Sequence, residues 1–329
     1  IVQQKMTYTL QRMDGQEEVL VCKFGGSSLA DASEFRRVKA IVKADPRRRF
    51  VIPSAPGSRH SQDPKITDLL YLVHDLAAQH QPLSAPWKTV RRRFLTIAQK
   101  LRLCFNLRSS LEQVEKAIRD GAGRDYVASR GEYLTALILA EFLGFEFVDA
   151  AEVIRFLDRS NELDPVSYNL ITRRCSGAGG YVIPGFYGTA AQGEIRTFSR
   201  GGSDISGAIV ARAVRAQVYE NWTNVRGVLK GDPQIVPDAE LIPEITYGEL
   251  RELSYMGASV LHDEGVLPLT YVGIPINIRS TRELDNPGTM VVKTRDPKKR
   301  AVVGIAGRKG FTVFHLAKRL MHPQVGFLR

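Results

Sequence analysis

The chain has 329 residues, 43% of them apolar and 25% charged, a globular composition that excludes a disordered, collagenous or disulfide-framework protein. Its 46 Lys and Arg against 35 Asp and Glu leave a net charge of +11, which points to nucleic acid or to small anions as partners. Cys22, Cys104 and Cys175 form no CxxC pair and no apolar run reaches the roughly 18 residues of a membrane helix, so a cytoplasmic chain without a membrane partner is expected.

Residues 1–18 are polar and unpatterned and read as a leader. VLVCKF (19–24) predicts a buried strand, GGSS (25–28) a turn, and 31–43 a helix with Phe35, Val38, Ile41 and Val42 on one side. FVIPS (50–54) predicts the next strand, and helices are expected over 66–78, 88–101, 109–120 and 131–143. Between 88 and 108 there are seven bases and no acid, with Val90, Phe94, Ile97 and Leu101 at helical spacing. That pattern predicts an amphipathic helix with a solvated basic face. No zinc-finger spacing or RNP-like aromatic string accompanies it, so a nucleic-acid partner is not expected. Strands at 145–149 and 181–185, a hairpin over 189–198, a helix over 204–215, a strand at 218–222, a helix over 246–258 and a last strand at 274–280 follow. NPGTMVVKTRDPKKR (286–300), with two prolines and a basic cluster, reads as a domain boundary.

Continuously apolar strands alternating with helices predict an α/β fold with a mainly parallel sheet covered on both faces. Ligands on such sheets sit at the carboxyl ends of the strands. The glycine clusters fall there. In KFGGSS (23–28), Gly25 and Gly26 let backbone N–H groups approach an anion, and Lys23 adds a positive charge. The bland alternative is a simple turn. In FSRGGSD (198–204), Arg200 offers a fork for a carboxylate, and Ser203 and Asp204 open a helix whose amides favour an anion. Asp204 could equally be only a cap. In SRGE (129–132), expected at a helix start, Glu132 is a candidate carboxylate for a substrate ammonium. The segment 221–239 reads first as turn chemistry, with Arg226 and Lys230 in reach of phosphates. Neither a GxxxxGK[ST] loop nor a GxGxxG fingerprint occurs, which argues against a P-loop NTPase and a dinucleotide enzyme.

KFGGSS, PSAPG, SRGEYL, FVDAAEVI, PGFYG, FSRGGSD, NWTNVRGV, DPQIVPDA, ELSYMGASVLH and PINIRST occur in the order found in aspartate kinases, of the amino acid kinase fold. The resemblance runs from about residue 19 to the end, and is nearer the monofunctional bacterial and clostridial type. It implies a three-layer αβα sandwich over 19–300 and ATP-dependent phosphorylation of the L-aspartate side chain to 4-phospho-L-aspartate, the first step toward lysine, threonine and methionine. It implies L-aspartate and ATP as partners, Mg²⁺ carried on ATP, and a homodimer. Lys23 would offset charge at the β- and γ-phosphates; Gly25, Gly26 and Ser27 would line the phosphate and aspartate pocket. Thr67 would meet the substrate, Glu132 its ammonium and Arg200 a carboxylate. Ser203 and Asp204 would orient substrate and Lys23. Thr223, Asn224, Lys230 and Asp232 would border the nucleotide. His262 is expected to be a packed helix-end residue.

The chain departs from the family pattern at Asn224 for Asp, Gln234 for Arg and Ser259 for Lys, so two cations near the nucleotide are lost. Residues 301–329 resemble the start of an ACT regulatory domain, cut short. The expectation is an uncovered apolar strand there and insensitivity to lysine and threonine. Another amino acid kinase (acting on glutamate, acetylglutamate or UMP) and a catalytically weak regulatory subunit are the alternatives left open.

Overall fold

The computed structural model describes residues 18–157, 162–199, 201–255, 261 and 263–307. Nearly all of the expected leader and most of the ACT-like segment lie outside these residues.

The apolar run at 19–24 forms strand β1 (Leu20–Phe24). A single 3₁₀ turn over Gly26–Leu29 follows, then helix α1 (Ala32–Lys43), whose N-cap Asp31 accepts hydrogen bonds from the backbone N–H of Ser33 and Glu34. Next come β2 (Arg48–Pro53), α2 (Ile66–Ala78), α3 (Ser84–Lys100), α4 (Leu107–Arg119) and α5 (Arg124–Leu143). A region of short elements follows: β3 (Glu146–Phe147), α6 (Ala150–Val153), α7 (Val166–Arg174) and β4 (Tyr181–Val182). The predicted hairpin is β5 (Tyr187–Thr189) against β6 (Ile195–Thr197), antiparallel. Helix α8 (Gly202–Ala213), β7 (Val218–Thr223), β8 (Glu244–Thr246), α9 (Tyr247–Tyr255), α10 (Leu267–Thr270), β9 (Ile276–Ser280) and β10 (Thr289–Val292) complete the domain.

Eight strands form one sheet in the order β3-β4-β2-β1-β7-β9-β10-β8, and every pairing is parallel except β9 with β10. The alternating side chains of each strand feed two separate cores. Cys22 and Phe24 of β1 join Trp222 of β7 and the buried faces of α1 to α5. Val21 joins Tyr219 and residues of α6 to α10 on the other face. The predicted αβα sandwich is thus the observed architecture.

Four sequence expectations are corrected. First, α5 begins at Arg124 rather than near 131, so SRGE lies inside the helix and not in its first turn. Gly131 reads as a boundary in sequence, but a Cβ there would come 2.7 Å from Ala55 Cβ, so the glycine is a contact point between α5 and the loop after β2. Second, 286–300 is not a boundary as a whole. It contains β10, whose Thr289 and Val291 are buried in the main sheet. Third, the basic face of α3 is not wholly solvated. Arg93 is buried and bonds both oxygens of Asp63 at 2.7 Å. Fourth, the described part of the ACT-like segment, 301–307, carries no strand and is only partly uncovered. Val303 is buried in the second core and Ile305 N donates to Lys230 O at 2.7 Å, while Val302 and Ile305 side chains are exposed.

Candidate active site

The site assembles where β1, β2, β7 and β9 end. Because these strands are parallel, their carboxyl ends share one edge of the sheet. The loops after them are tied together. Gly25 N donates to Trp222 O at 3.0 Å, Gly57 N to Gly26 O at 2.8 Å, and Thr281 N to Thr223 O at 2.9 Å. Ser28 and Thr281 hydroxyls lie 3.3 Å apart and buried.

Lys23 is the last residue but one of β1. Side-chain alternation puts it on the same face as Val21, opposite Cys22 and Phe24, and that face is covered by α8. Its register partner on β7 is Asn221. Asp204 stands in the first turn of α8, where its charge suits the helix dipole. The three meet: Lys23 Nζ lies 2.7 Å from Asp204 Oδ1, and Asn221 Nδ2 donates to the same oxygen at 3.0 Å. Both members of the ion pair are close to nine-tenths buried. Asp204 is therefore more than a cap; in α8 no side-chain capping bond is made and the N-cap is Gly201, with φ 58°.

Ser203 is buried beside it, and Gly185 permits that approach: a Cβ on Gly185 would come 2.7 Å from Ser203 Oγ. Phe186, the next residue, holds φ 81° and its N–H donates to Ser206 Oγ at 3.0 Å. A bulky residue in the left-handed region is strained, and such strain gathers at functional sites.

Across the sheet edge, Glu132 of α5 is buried, and its Oε1 accepts from Ala55 N at 3.0 Å. Its Oε2 is buried with no hydrogen-bond partner among the described residues. Burial pushes the Glu132 carboxyl up to about 8, against weaker downward pulls from its hydrogen bonds to backbone and from Arg130. Arg130 itself lies over the rings of Tyr126, Tyr133 and Tyr187. Gly26 is pressed against the same loop: a Cβ on it would meet Ala55 O at 2.7 Å. Thr67, half-buried in the first turn of α2, follows Ile66, whose side chain is among the neighbours of Gly131. Ser27 is half-buried in the 3₁₀ turn.

The nucleotide-side candidates are looser. Thr223 Oγ1 donates to Asn224 Oδ1 at 3.2 Å at the end of β7. Lys230 is ion-paired with Glu240, and Arg226 Nε with Glu283 Oε1 at 2.7 Å. Asp232 is exposed, and its Oδ1 accepts from Gln234 N at 2.8 Å, closing a turn. Among the described residues, the side chains of Lys230 and Asp232 thus make their contacts within their own loop rather than with the Lys23–Asp204 pair. Arg200, Ser259 and His262 lie outside the described residues. Sequence reasoning missed Asn221 and the Ala55 amide. Asn221 could have been found from strand register; Ala55 N carries no side-chain signal at all.

The residues so gathered are an ammonium and a carboxylate in contact at one strand end, and a second, buried carboxylate with a spare oxygen across a glycine loop. Such a set can hold an anion and an amino group side by side. Among the described residues no helix is long and apolar enough to cross a membrane.

The sequence and the fold have known relatives. The family described as "Amino acid kinase family" matches residues 18–280. Aspartokinase 3 of Bacillus subtilis is 36% identical over 325 residues, covering 94% of this chain and 71% of that protein. The crystal structure of the Clostridium acetobutylicum aspartate kinase superposes with a TM-score of 0.81 at 46% identity, over 84% of this chain and 63% of the other. Escherichia coli aspartokinase III, crystallised with aspartate and ADP, gives a TM-score of 0.72 at 28% identity, over 85% and 65%. The chain thus spans slightly less than two thirds of those two crystallised proteins. It belongs to the amino acid kinase family and, within it, to the aspartokinases.

Proposed function

We propose that the domain phosphorylates the side-chain carboxylate of L-aspartate with ATP, giving 4-phospho-L-aspartate and ADP. The observation that carries the substrate side is Glu132, a buried carboxylate with one oxygen held by Ala55 N and the other unpartnered. A substrate α-ammonium supplies what that oxygen lacks. Burial makes the ionic contact strong, and binding would draw Glu132 into its charged form.

The chemistry needs no general base. Aspartate is ionised at neutral pH, so its β-carboxylate can attack the γ-phosphorus directly. An oxygen–phosphorus bond forms, the bond from the γ-phosphorus to the β–γ bridging oxygen breaks, and ADP leaves. Catalysis is then positioning plus stabilisation of charge. Lys23 meets the phosphates from the end of β1. Asp204 and Asn221 hold it, since an unanchored lysine would sample many rotamers. The Gly25–Gly26 turn lets backbone amides come close, with Ser27 beside them. Thr67 and Ser203 border the aspartate, and Arg200 clamps a carboxylate. Thr223, Asn224, Lys230 and Asp232 border the nucleotide. The pairs Lys230–Glu240 and Arg226–Glu283 are solvent-exposed surface pairs and so weak, and a phosphate can displace the acids. Mg²⁺ enters as part of Mg-ATP and neutralises phosphate charge. The free cysteines support a reducing compartment, the cytoplasm. A homodimer is part of the same reading, by likeness to the family.

The test is ADP release coupled to a chromogenic reaction across L-aspartate, L-glutamate, N-acetylglutamate and UMP. Turnover with aspartate at least 100-fold above the others is expected. Equal or greater turnover with another acceptor, or no Mg-ATP binding by calorimetry at millimolar nucleotide, would overturn the reading.

A further inference from the structure

A cleft of about 320 Å³ lies away from the Lys23–Asp204 pair, between the start of α1, one face of α3 and the loop after β2. It is lined by Asp31, Arg59, Arg92, Arg93, Thr96 and Lys100, together with Ala32, Thr89 and Ile97. None of these is a residue of the active site described above. The size falls in the range of small-molecule sites.

Its charge is one-sided. Four of the lining residues are cations and one is an acid. That acid, Asp31, caps α1 through bonds to Ser33 and Glu34 and keeps its negative charge, so with Asp63 the wall sets four cations against two acids. A second acid behind the wall, Asp63, binds two of the cations at once. Arg59 contacts it at 2.8 and 2.9 Å, and Arg93 at 2.7 Å. One carboxylate between two guanidinium groups leaves a positive charge over. The buried Arg93 registers the excess: burial, and then the Arg59 charge, pull its proton affinity down. Among the described residues Arg92 and Lys100 are in no ion pair at all.

Most of the lining runs along α3. Thr89, Arg93, Thr96 and Lys100 recur at steps of three or four residues, with Arg92 beside Arg93, so they form one stripe along α3. From residue 89 to residue 100 the stripe is about 16 Å long at 1.5 Å per residue. Donors approach from two elements, α3 and the loop after β2, rather than from a single fork. A planar carboxylate uses one fork; donors from several directions suit tetrahedral phosphate oxygens. A concave wall of like charge also concentrates an anion from solution. The buried Arg93–Asp63 pair makes the wall rigid, since Arg93 is also fixed to Gly57 O at 3.2 Å.

We propose that this cleft is a second anion site, which takes a small molecule bearing two phosphate groups. It would be held by Arg92, Lys100 and Thr96 on α3 and by the outer side of Arg59. This does not rest on the reading of the catalytic site, because none of the proposed ligands belongs to it.

The probe is inorganic pyrophosphate, titrated calorimetrically into the full chain at constant ionic strength. Wild type, Lys23→Ala and the double variant Arg92→Ala/Lys100→Ala are compared, with folding checked by circular dichroism. A Thr96→Val variant, which keeps shape and removes one donor, is run beside them. Pyrophosphate is expected to bind the Lys23→Ala protein with unchanged affinity at one class of site. The double variant should lose at least ten-fold in that affinity, and Thr96→Val a few-fold. Binding that disappears in Lys23→Ala and persists in the double variant would move the anion to the strand-end loop and overturn the proposal. A parallel titration with citrate separates the chemistries: citrate binding tighter than pyrophosphate, lost in the double variant, would overturn the phosphate assignment. No saturable binding of pyrophosphate to wild type at millimolar concentration would overturn it as well.

Discussion

Lys23 Nζ and Asp204 Oδ1 lie 2.7 Å apart, one at the end of the central strand and the other in the first turn of α8. The contact joins two glycine-flanked segments that are far apart in sequence, and Asn221 braces it from the neighbouring strand. A buried pair of this kind adds little to stability over apolar residues, but removing one partner leaves the other charge exposed to a poor environment. Its arrangement suits positioning of a charge better than holding the fold.

Lys23→Ala should therefore act on catalysis. We expect kcat to fall about 100- to 1000-fold, the loss typical of one charge-stabilising donor. The KM for aspartate should change less than three-fold. Steady-state kinetics with coupled ADP detection gives both numbers. Equal, small changes in the two would remove Lys23 from phosphoryl transfer.

Glu132 sets a pH dependence with a definite sign. Its carboxyl stands at about 8 in the fold against 4.5 for the free group, because of burial. Between these values the folded protein binds a proton that the unfolded chain does not. The resulting stabilisation is fully present below 4.5 and is lost as pH rises through about 8. Glu132→Gln keeps the neutral shape, so its stability should fall less than wild type between pH 6 and 9 on denaturant titration. Aspartate binding should release a proton from wild type near pH 7, seen as a buffer-dependent calorimetric heat, and none from this group in the variant. Wild type and variant with the same proton release would show that Glu132 is not the ammonium partner.

Gly26→Ala tests the glycine loop. The new Cβ would lie 2.7 Å from Ala55 O and 3.2 Å from Gly57 N, both backbone atoms that cannot swing aside. The loop after β2 must move, and it carries the Ala55 amide that holds Glu132. We expect a loss of about 1–3 kcal/mol in stability, and an aspartate KM raised at least ten-fold. A variant with native melting temperature and native KM would show that the contact is not needed.

Arg93→Ala removes the buried partner of Asp63 and the donor to Gly57 O. Arg59 still reaches Asp63, so the loss should be smaller than for a fully orphaned charge. About 2–4 kcal/mol is expected from chemical denaturation. Arg93→Lys should recover less than half of it, because an ammonium cannot reproduce the fork. A variant as stable as wild type would mean that the basic stripe of α3 is solvated throughout.

Much of this protein could be read from local sequence. The strands 19–24, 50–54 and 218–222 are short runs dominated by apolar residues, and α2, α3 and α4 show helical periodicity, so a parallel sheet covered by helices followed directly. Lys23, Asp204, Glu132 and the glycines stand out because their residue types are out of place in a turn or an apolar helix. What local sequence does not hold is the pairing. Strands β8 and β10 are short, three and four residues, and draw their stability from the sheet they join. Helix α5 extends back past Gly131 because that glycine meets Ala55, a contact across the fold that outweighs its helix propensity. The burial of Arg93 on Asp63, Asn221 as the brace of the ion pair, and the Ala55 amide on Glu132 are all set by register and loop path. They arise only when distant segments are brought to one sheet edge, where a charged or polar group excluded from water must find its partner from whichever strand or loop lies beside it.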